Sequence, residues 1–297
     1  MTEIRPKIHS LTMADGRQLM CTETGHPEGY PIIVGHGMPG CGYEGLLFHE
    51  EAAAAGFRIL TPDRPGLRQS TYQVNRKLLD YPDDIRSVAD QLGAEEFIHM
   101  GWSSGGSRTL ACAYGLPERT RLAVVLSGYT NFAELPHARA MLLKTLWPGP
   151  VIADLSPRLF RWLVRLMVAV SKRRPDTYMA TAKRLFSDHD HQIFEEQEQM
   201  QRFRQDQISC LNSGHRAIAT DLWTELVDWG FRLREVKVPT LIYQGEKDLL
   251  VPLKYCHHMA GEIPEADLTL LPHSGHFYPM DREFQKSLFS RLKRIIG

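Results

Sequence analysis

Charge of either sign is not in excess in this chain. Lys plus Arg and Asp plus Glu number 35 each in 297 residues. Without a global positive field nothing replaces the counterions of a polyanion, so nucleic acid is not expected as a main partner. Cysteine is sparse: Cys21, Cys41, Cys112, Cys210 and Cys256 are scattered, odd in number and form no C-x-x-C pair. They read as free thiols in a reducing compartment, and the expected location is cytoplasmic. Cys41 lies in a Gly-rich loop, where a packing role is expected over a reactive one. No run of about 18 apolar residues occurs, so no membrane insertion is expected. The start, MTEIRPKIHS, has no apolar stretch of the kind a signal peptide needs.

Short apolar runs are present in abundance. Residues 7–24 alternate around Ala14-Asp15-Gly16-Arg17 and predict a β-hairpin. Beyond it come Pro31–Val34, Phe57–Leu60, Glu96–Met100, Leu122–Leu126, Thr240–Tyr243 and Leu268–Leu271. Continuous apolar strands are buried on both faces, which implies an α/β fold with a mainly parallel sheet covered by helices. Tyr43–Ala55, Pro82–Leu92, Ser104–Tyr114 and Pro252–Ala260 fit helical crossovers, and 283–296 supplies a last amphipathic helix. Between about 129 and 235 no strand-like run appears, and Ser156–Lys172 and Asp190–Asn212 are helical in pattern. Residues 1–128 and 236–297 therefore read as the core, and 129–235 as a helical cap subdomain.

Gly101-Trp102-Ser103-Ser104-Gly105 matches G-x-S-x-G. Composition alone would produce this pattern in roughly one chain in ten. Its context is specific: it follows an apolar strand and opens a helix of small residues. Such a turn holds a nucleophile in a strained conformation, and glycines on either side relieve crowding. A hydroxyl at its free pKa is a poor nucleophile and needs a base. His276, in Pro272-His273-Ser274-Gly275-His276-Phe277, lies just past the last predicted strand, and Ser274-Gly275 lets it turn back over the site. His273 is expected to brace the loop. Asp248, at the end of another strand, is the expected carboxylate partner, with Glu246 a solvated turn residue. His276 must be neutral and Asp248 ionised, so activity should rise with pH through one ionisation. The loop Gly35-His36-Gly37-Met38-Pro39-Gly40 brings backbone close to the reaction, and the Met38 and Ser104 N–H groups are the expected donors to a developing oxyanion. Gly37 and Trp102 complete the expected substrate-binding set, and His36 reads as a loop brace.

Together these residues resemble the α/β-hydrolase superfamily along the whole chain. His36-Gly37-Met38-Pro39 is similar to its H-G-x-P motif, and Asp63-Arg64-Pro65-Gly66 to its D-x-x-G loop. That loop usually continues G-x-G-x-S; here Arg68 replaces the second Gly and Ser70 is kept. The chain order Ser103, Asp248, His276 is the superfamily's, and the helical segment resembles the cap of esterase-like members. The resemblance implies a serine hydrolase acting on an ester of a small, largely apolar substrate, with no cofactor. Ser103 argues against dehalogenase- or epoxide-hydrolase-like members, which place an Asp there. Alternatives from the same fold are an aminopeptidase resembling proline iminopeptidases, a hydrolase of carbon–carbon bonds and a non-catalytic ligand receptor.

Other features have blander readings. Asp188-His189-Asp190-His191 reads as a solvated polar turn, so no metal is expected. Arg158, Arg161 and Arg165 recur at helical spacing, as on a membrane-surface helix, but the preferred reading is a cap helix with one exposed charged face. Trp102, Trp147 and Trp162 are candidates for lining an apolar pocket.

Overall fold

The computed structural model describes residues 5–142 and 149–297. Eight strands form one sheet in the order β1-β2-β4-β3-β5-β6-β7-β8. They are β1 Lys7–Thr12, β2 Gln18–Gly25, β3 Tyr30–Gly35, β4 Phe57–Pro62, β5 Phe97–Trp102, β6 Thr120–Leu126, β7 Thr240–Gly245 and β8 Ala266–Leu271. β1 and β2 pair antiparallel, Leu11 opposite Leu19, and β2 joins β4 antiparallel. From β4 to β8 every pairing is parallel. Each strand predicted from an apolar run is present, with ends that differ by a residue or two: most are longer, and the one expected from Glu96 starts at Phe97.

Helices α1 His49–Ala55, α2 Tyr81–Gln91 and α3 Ser104–Gly115 belong to the first crossovers, α11 Leu253–Glu262 to the last, and α12 Arg282–Ile296 follows the final strand. Side chains alternate across a strand, so β3 sends Ile32 and Val34 to one face and Ile33 to the other. The first face packs under α1 and α12 through Phe48, Ala52, Leu288 and Phe289. The other packs under α2 and α3 through Ile85, Val88 and Cys112. Burying each large aliphatic side chain contributes about 1.5–3 kcal/mol, which fixes strand register against a slip. All five cysteines are unpaired and buried.

Between β6 and β7 the described residues form no strand. The helices there are α4 Ala138–Met141, α5 Gly149–Leu155, α6 Pro157–Arg173, α7 Pro175–Ala182, α8 Asp188–Ile193, α9 Gln197–Asn212 and α10 His215–Leu226. The helix expected over Asp190–Asn212 is broken at Phe194–Glu196. The break has a packing reason: Phe194 turns inward and meets Phe186, Phe203 and Phe277 at ring distances of 4.7, 5.4 and 4.9 Å. Trp147 lies outside the described residues. α6 departs from expectation in another way. Phe160, Val164 and Val168 are buried, but the opposite face is not simply charged: Leu159, Trp162, Leu166 and Val170 stand exposed beside the arginines.

Candidate functional site

β5 runs into α3 through Ser103, whose backbone takes φ 55° and ψ −119°. A residue with a Cβ pays for a positive φ, so the packing around the turn must hold it there. From Phe97 to Ala113, Ser103 is the one residue that is not buried. The flanking glycines are required by space. A Cβ on Gly105 would lie 1.8 Å from the Gly35 carbonyl oxygen, and one on Gly101 2.2 Å from that of Gly105. The turn therefore lets α3 and β3 close together while the hydroxyl projects outward.

His276 lies on the loop after β8 and is 4% exposed. Its Nδ1 is 2.8 Å from Asp248 Oδ2. Asp248 Oδ1 accepts the Leu250 and Val251 N–H groups, each at 2.8 Å, and Oδ2 also accepts from Gln244 at 3.0 Å. Both carboxylate oxygens are thus supplied with donors. His273 and Glu246 are exposed and take no part in this arrangement. The Ser103 hydroxyl has no hydrogen-bond partner among the described residues; such contacts commonly tighten only with substrate bound.

The loop Gly35–Gly40 lies against the turn. A Cβ on Gly37 would sit 3.9 Å from Ser103 Cβ. The Gly37 N–H is taken by Glu44 Oε2 at 2.8 Å, so Gly37 shapes the loop and is not a free donor. The Met38 and Ser104 N–H groups are used by no hydrogen bond among the described residues and remain available. His36 is fully buried, with Nδ1 2.9 Å from the Gly37 carbonyl and Nε2 facing the Arg64 N–H at 3.4 Å. Burial, seconded by Arg64, holds its pKa well below the ordinary histidine value, so the ring is a neutral brace.

Trp102, expected at the substrate, is 3% exposed. Its indole N–H donates to the His276 carbonyl at 3.1 Å, and its ring lies 5.7 Å from the His276 ring. Its contacts make it a support of the histidine loop rather than the wall of an open pocket.

Three supports were not anticipated. Asp190 was read as solvated, yet it is fully buried: Oδ2 accepts the His276 N–H at 3.2 Å and Oδ1 the Phe277 N–H at 2.8 Å. Gly275 has the same origin. A Cβ there would lie 1.9 Å from Asp190 Oδ2, so the glycine serves close approach rather than flexibility. Among the described residues no cluster of His, Cys, Asp or Glu is arranged to hold a metal ion.

The second support is ionic. Arg64 donates to the His36 and Gly37 carbonyls, each at 2.8 Å, and its Nε pairs with Asp221 of α10 at 2.6 Å. Asp221 also pairs with Arg76 and, at 3.4 Å, with Arg108 of α3. Burial opposes ionisation of Asp221, but the three guanidiniums outweigh it and hold its pKa below the ordinary carboxylate value. Glu225, one turn further along α10, accepts from Arg108 at 2.6 Å and from the Ser104 hydroxyl at 2.8 Å. The acids are legible in sequence only as polar residues on a helix; their partners come from 113 to 157 residues away.

The third is Arg68, in place of a glycine. It keeps a left-handed backbone, φ 47°, and its guanidinium meets Asp63 at 3.1 Å, Thr22 at 3.0 Å and the Tyr43 ring at 3.8 Å. These contacts offset the strain of a side chain at positive φ.

Comparison with known proteins agrees with this fold. At 25% identity the chain is similar to a 2-hydroxy-6-oxononadienedioate/2-hydroxy-6-oxononatrienedioate hydrolase of Cupriavidus pinatubonensis, over 90% of this chain and 88% of that protein. It is 26% identical to a 2-hydroxy-6-oxo-6-phenylhexa-2,4-dienoate hydrolase of Burkholderia cepacia over 84% of this chain and 82% of that one. Among solved structures it resembles an esterase from Exiguobacterium antarcticum, with a TM-score of 0.72, 18% identity and coverage of 96% and 98% of the two chains. A thermophilic esterase from Thermogutta terrifontis gives 0.70 and 20%, over 99% and 100%. The model of the α/β hydrolase fold family matches residues 30–283, and with the sheet order and the strand–Ser103–helix turn described above, the chain belongs to that family.

Proposed function

We propose that the protein is a serine hydrolase that cleaves a carboxylic ester of a small, largely apolar substrate through an acyl-enzyme. Ser103 Oγ attacks the carbonyl carbon while His276 Nε2 takes its proton, and Asp248 holds the Nδ1–H tautomer. The Met38 and Ser104 N–H groups bind the oxygen that becomes negative, aided by the positive end of α3. His276 then protonates the departing alkoxide. In the second half it activates water, and the acid leaves as Ser103 regains its proton. Residues 129–235 act as the cap, and substrate enters between it and the ends of the strands.

The observation that carries this reading is the 2.8 Å contact between His276 and a fully hydrogen-bonded Asp248, beside the one unburied residue of the β5–α3 turn. The named relatives favour a second reading, cleavage of a carbon–carbon bond. Their names describe dienoate and dienedioate substrates, which carry carboxylates to be bound. Arg64 and Arg108, the buried guanidiniums that brace the Gly35–Gly40 loop and the start of α3, are already engaged by Asp221, Glu225 and loop carbonyls. This favours a neutral, apolar ester over a dicarboxylate. A panel of 4-nitrophenyl acyl esters, prolyl amides and a 2-hydroxy-6-oxodienoate, run with wild type and Ser103→Ala, tests the choice. Turnover is expected on short acyl esters, with many equivalents of product per chain, and loss of several orders of magnitude in Ser103→Ala. Turnover of the dienoate alone would select the second reading; binding without turnover of any of them would select a receptor.

A further inference from the structure

Helix α6 is apolar on two opposite faces. At about 100° per residue, Phe160, Val164, Val168 and Ser171 share the inward face and are buried against α9 and α10. Leu155, just before the helix, then Leu159, Trp162, Leu166 and Val170, fall on the outward face. Leu155 is 79% exposed and Trp162 58%, with the other three near one half. A single exposed leucine needs no explanation, but five large apolar side chains in one row over four turns do.

One flank of this row is cationic. Over Pro157–Arg173 the helix carries Arg158, Arg161, Arg165, Lys172 and Arg173 and no acidic residue, in a chain whose charges balance overall. Arg158, Arg161 and Arg165 make no ion pair among the described residues. Beside the row lies a groove of about 970 Å³ between α6, α10 and residues 72–79, lined in part by Trp162, Arg161, Arg165, Lys77 and the 63%-exposed Val74.

We propose that the outward face of α6 docks the protein on an anionic lipid bilayer, with Leu159, Trp162 and Leu166 in the interfacial region and the arginines at the headgroup phosphates. An apolar row flanked by basic side chains is the pattern of a helix lying in a membrane interface. The charge distribution selects lipid over a second copy of the chain. Arg158, Arg161, Arg165 and Lys172 occupy one flank, so an antiparallel two-fold pairing through this row would set cations against cations. The proposal does not depend on the catalytic reading: no residue of this face belongs to the site around Ser103.

The test is co-sedimentation of the full chain with vesicles of phosphatidylcholine and phosphatidylglycerol, beside vesicles of phosphatidylcholine alone, with the oligomeric mass measured by ultracentrifugation. Two variants are compared with wild type: Leu159→Ser/Trp162→Ser/Leu166→Ser and Arg158→Gln/Arg161→Gln/Arg165→Gln. Wild type should bind the anionic vesicles at least roughly tenfold more tightly than the neutral ones, and salt should weaken the binding. Each variant should lose about that factor while keeping its thermal melt and its turnover of a water-soluble ester. No binding of wild type to anionic vesicles at low salt would overturn the proposal. So would undiminished binding by the serine variant, or a wild-type dimer that the serine variant converts to monomer.

Discussion

At the scale of single residues, the site depends on carboxylates placed where their charge is fully used. Asp248 takes two backbone N–H groups on one oxygen and the histidine and Gln244 on the other. Asp248→Asn keeps the shape but presents an amide that can stabilise the wrong imidazole tautomer. Its kcat/KM on an activated ester should fall by about four orders of magnitude. Glu246→Gln, at an exposed position two residues away, should stay within a factor of a few of wild type, because nothing in the site touches Glu246. A pH–rate profile of the three proteins decides this: a crippled Glu246→Gln and a near-normal Asp248→Asn would reassign the acid. The placement of Asp248 and His276 was legible in sequence because each follows an apolar run that ends in Gly or Pro, which puts it at a strand end. Asp190 was not legible. A polar residue beside two histidines looks like a solvated turn, and only the fold brings it to within 3.2 Å of the His276 N–H.

At the scale of elements, α10 is bound to the chemistry more tightly than a lid need be. Asp221 neutralises Arg64, whose guanidinium holds the two carbonyls that precede the Met38 N–H. Glu225 fixes Arg108 and the Ser104 hydroxyl at the start of α3. Removing one charge from a buried ion network leaves its partners uncompensated and costs about 3–5 kcal/mol. Asp221→Asn is therefore expected to destabilise by that order in denaturant unfolding. On the proposed mechanism, in which the Met38 N–H binds the oxyanion, displacing that loop should also lower kcat more than it raises KM. A variant that unfolds more easily yet retains wild-type kcat would limit the network to stability. The helical character of 129–235 was legible from the lack of strand runs, and so were the helix periods. The break at Phe194–Glu196 was not, since it answers to an aromatic cluster with Phe186, Phe203 and Phe277 assembled across the fold. The exposed apolar row of α6 was equally hidden. Its residues are a core pattern in sequence, and only the burial of the opposite face turns them outward.

At the scale of the whole molecule, buried acids make stability depend on pH. Burial raises the pKa of Glu44 and Asp206, and their mutual repulsion adds to the effect on Glu44; Asp206 is pushed up to about 7. Asp206 faces the Cys41 N–H, Asp63 and Gln207, and the Cys41 contact only partly offsets burial. The sign follows from linkage. An acid whose folded pKa lies above its unfolded value of about 3.9 holds a proton the unfolded chain has released. Its contribution is fully present below about pH 4 and is lost as pH rises through about 7. Asp206→Asn mimics the protonated form, so its melting temperature should gain on that of wild type between those limits. Parallel profiles for the two proteins would show that Asp206 does not titrate in this window. The parallel sheet and its covering helices were legible because strands buried on both faces are continuously apolar; the far-reaching acid pairs were not, because sequence carries no sign of which charges meet.

The claim on which the rest depends is that Ser103 carries the covalent chemistry. The direct measurement is mass spectrometry of the protein after reaction with a fluorophosphonate, which bonds phosphorus to a nucleophilic oxygen as fluoride leaves. One adduct per chain is expected, on the peptide containing Ser103, with ester turnover lost in proportion to labelling and no adduct in Ser103→Ala. Labelling elsewhere with loss of turnover, or full turnover by chains modified at Ser103, would contradict it.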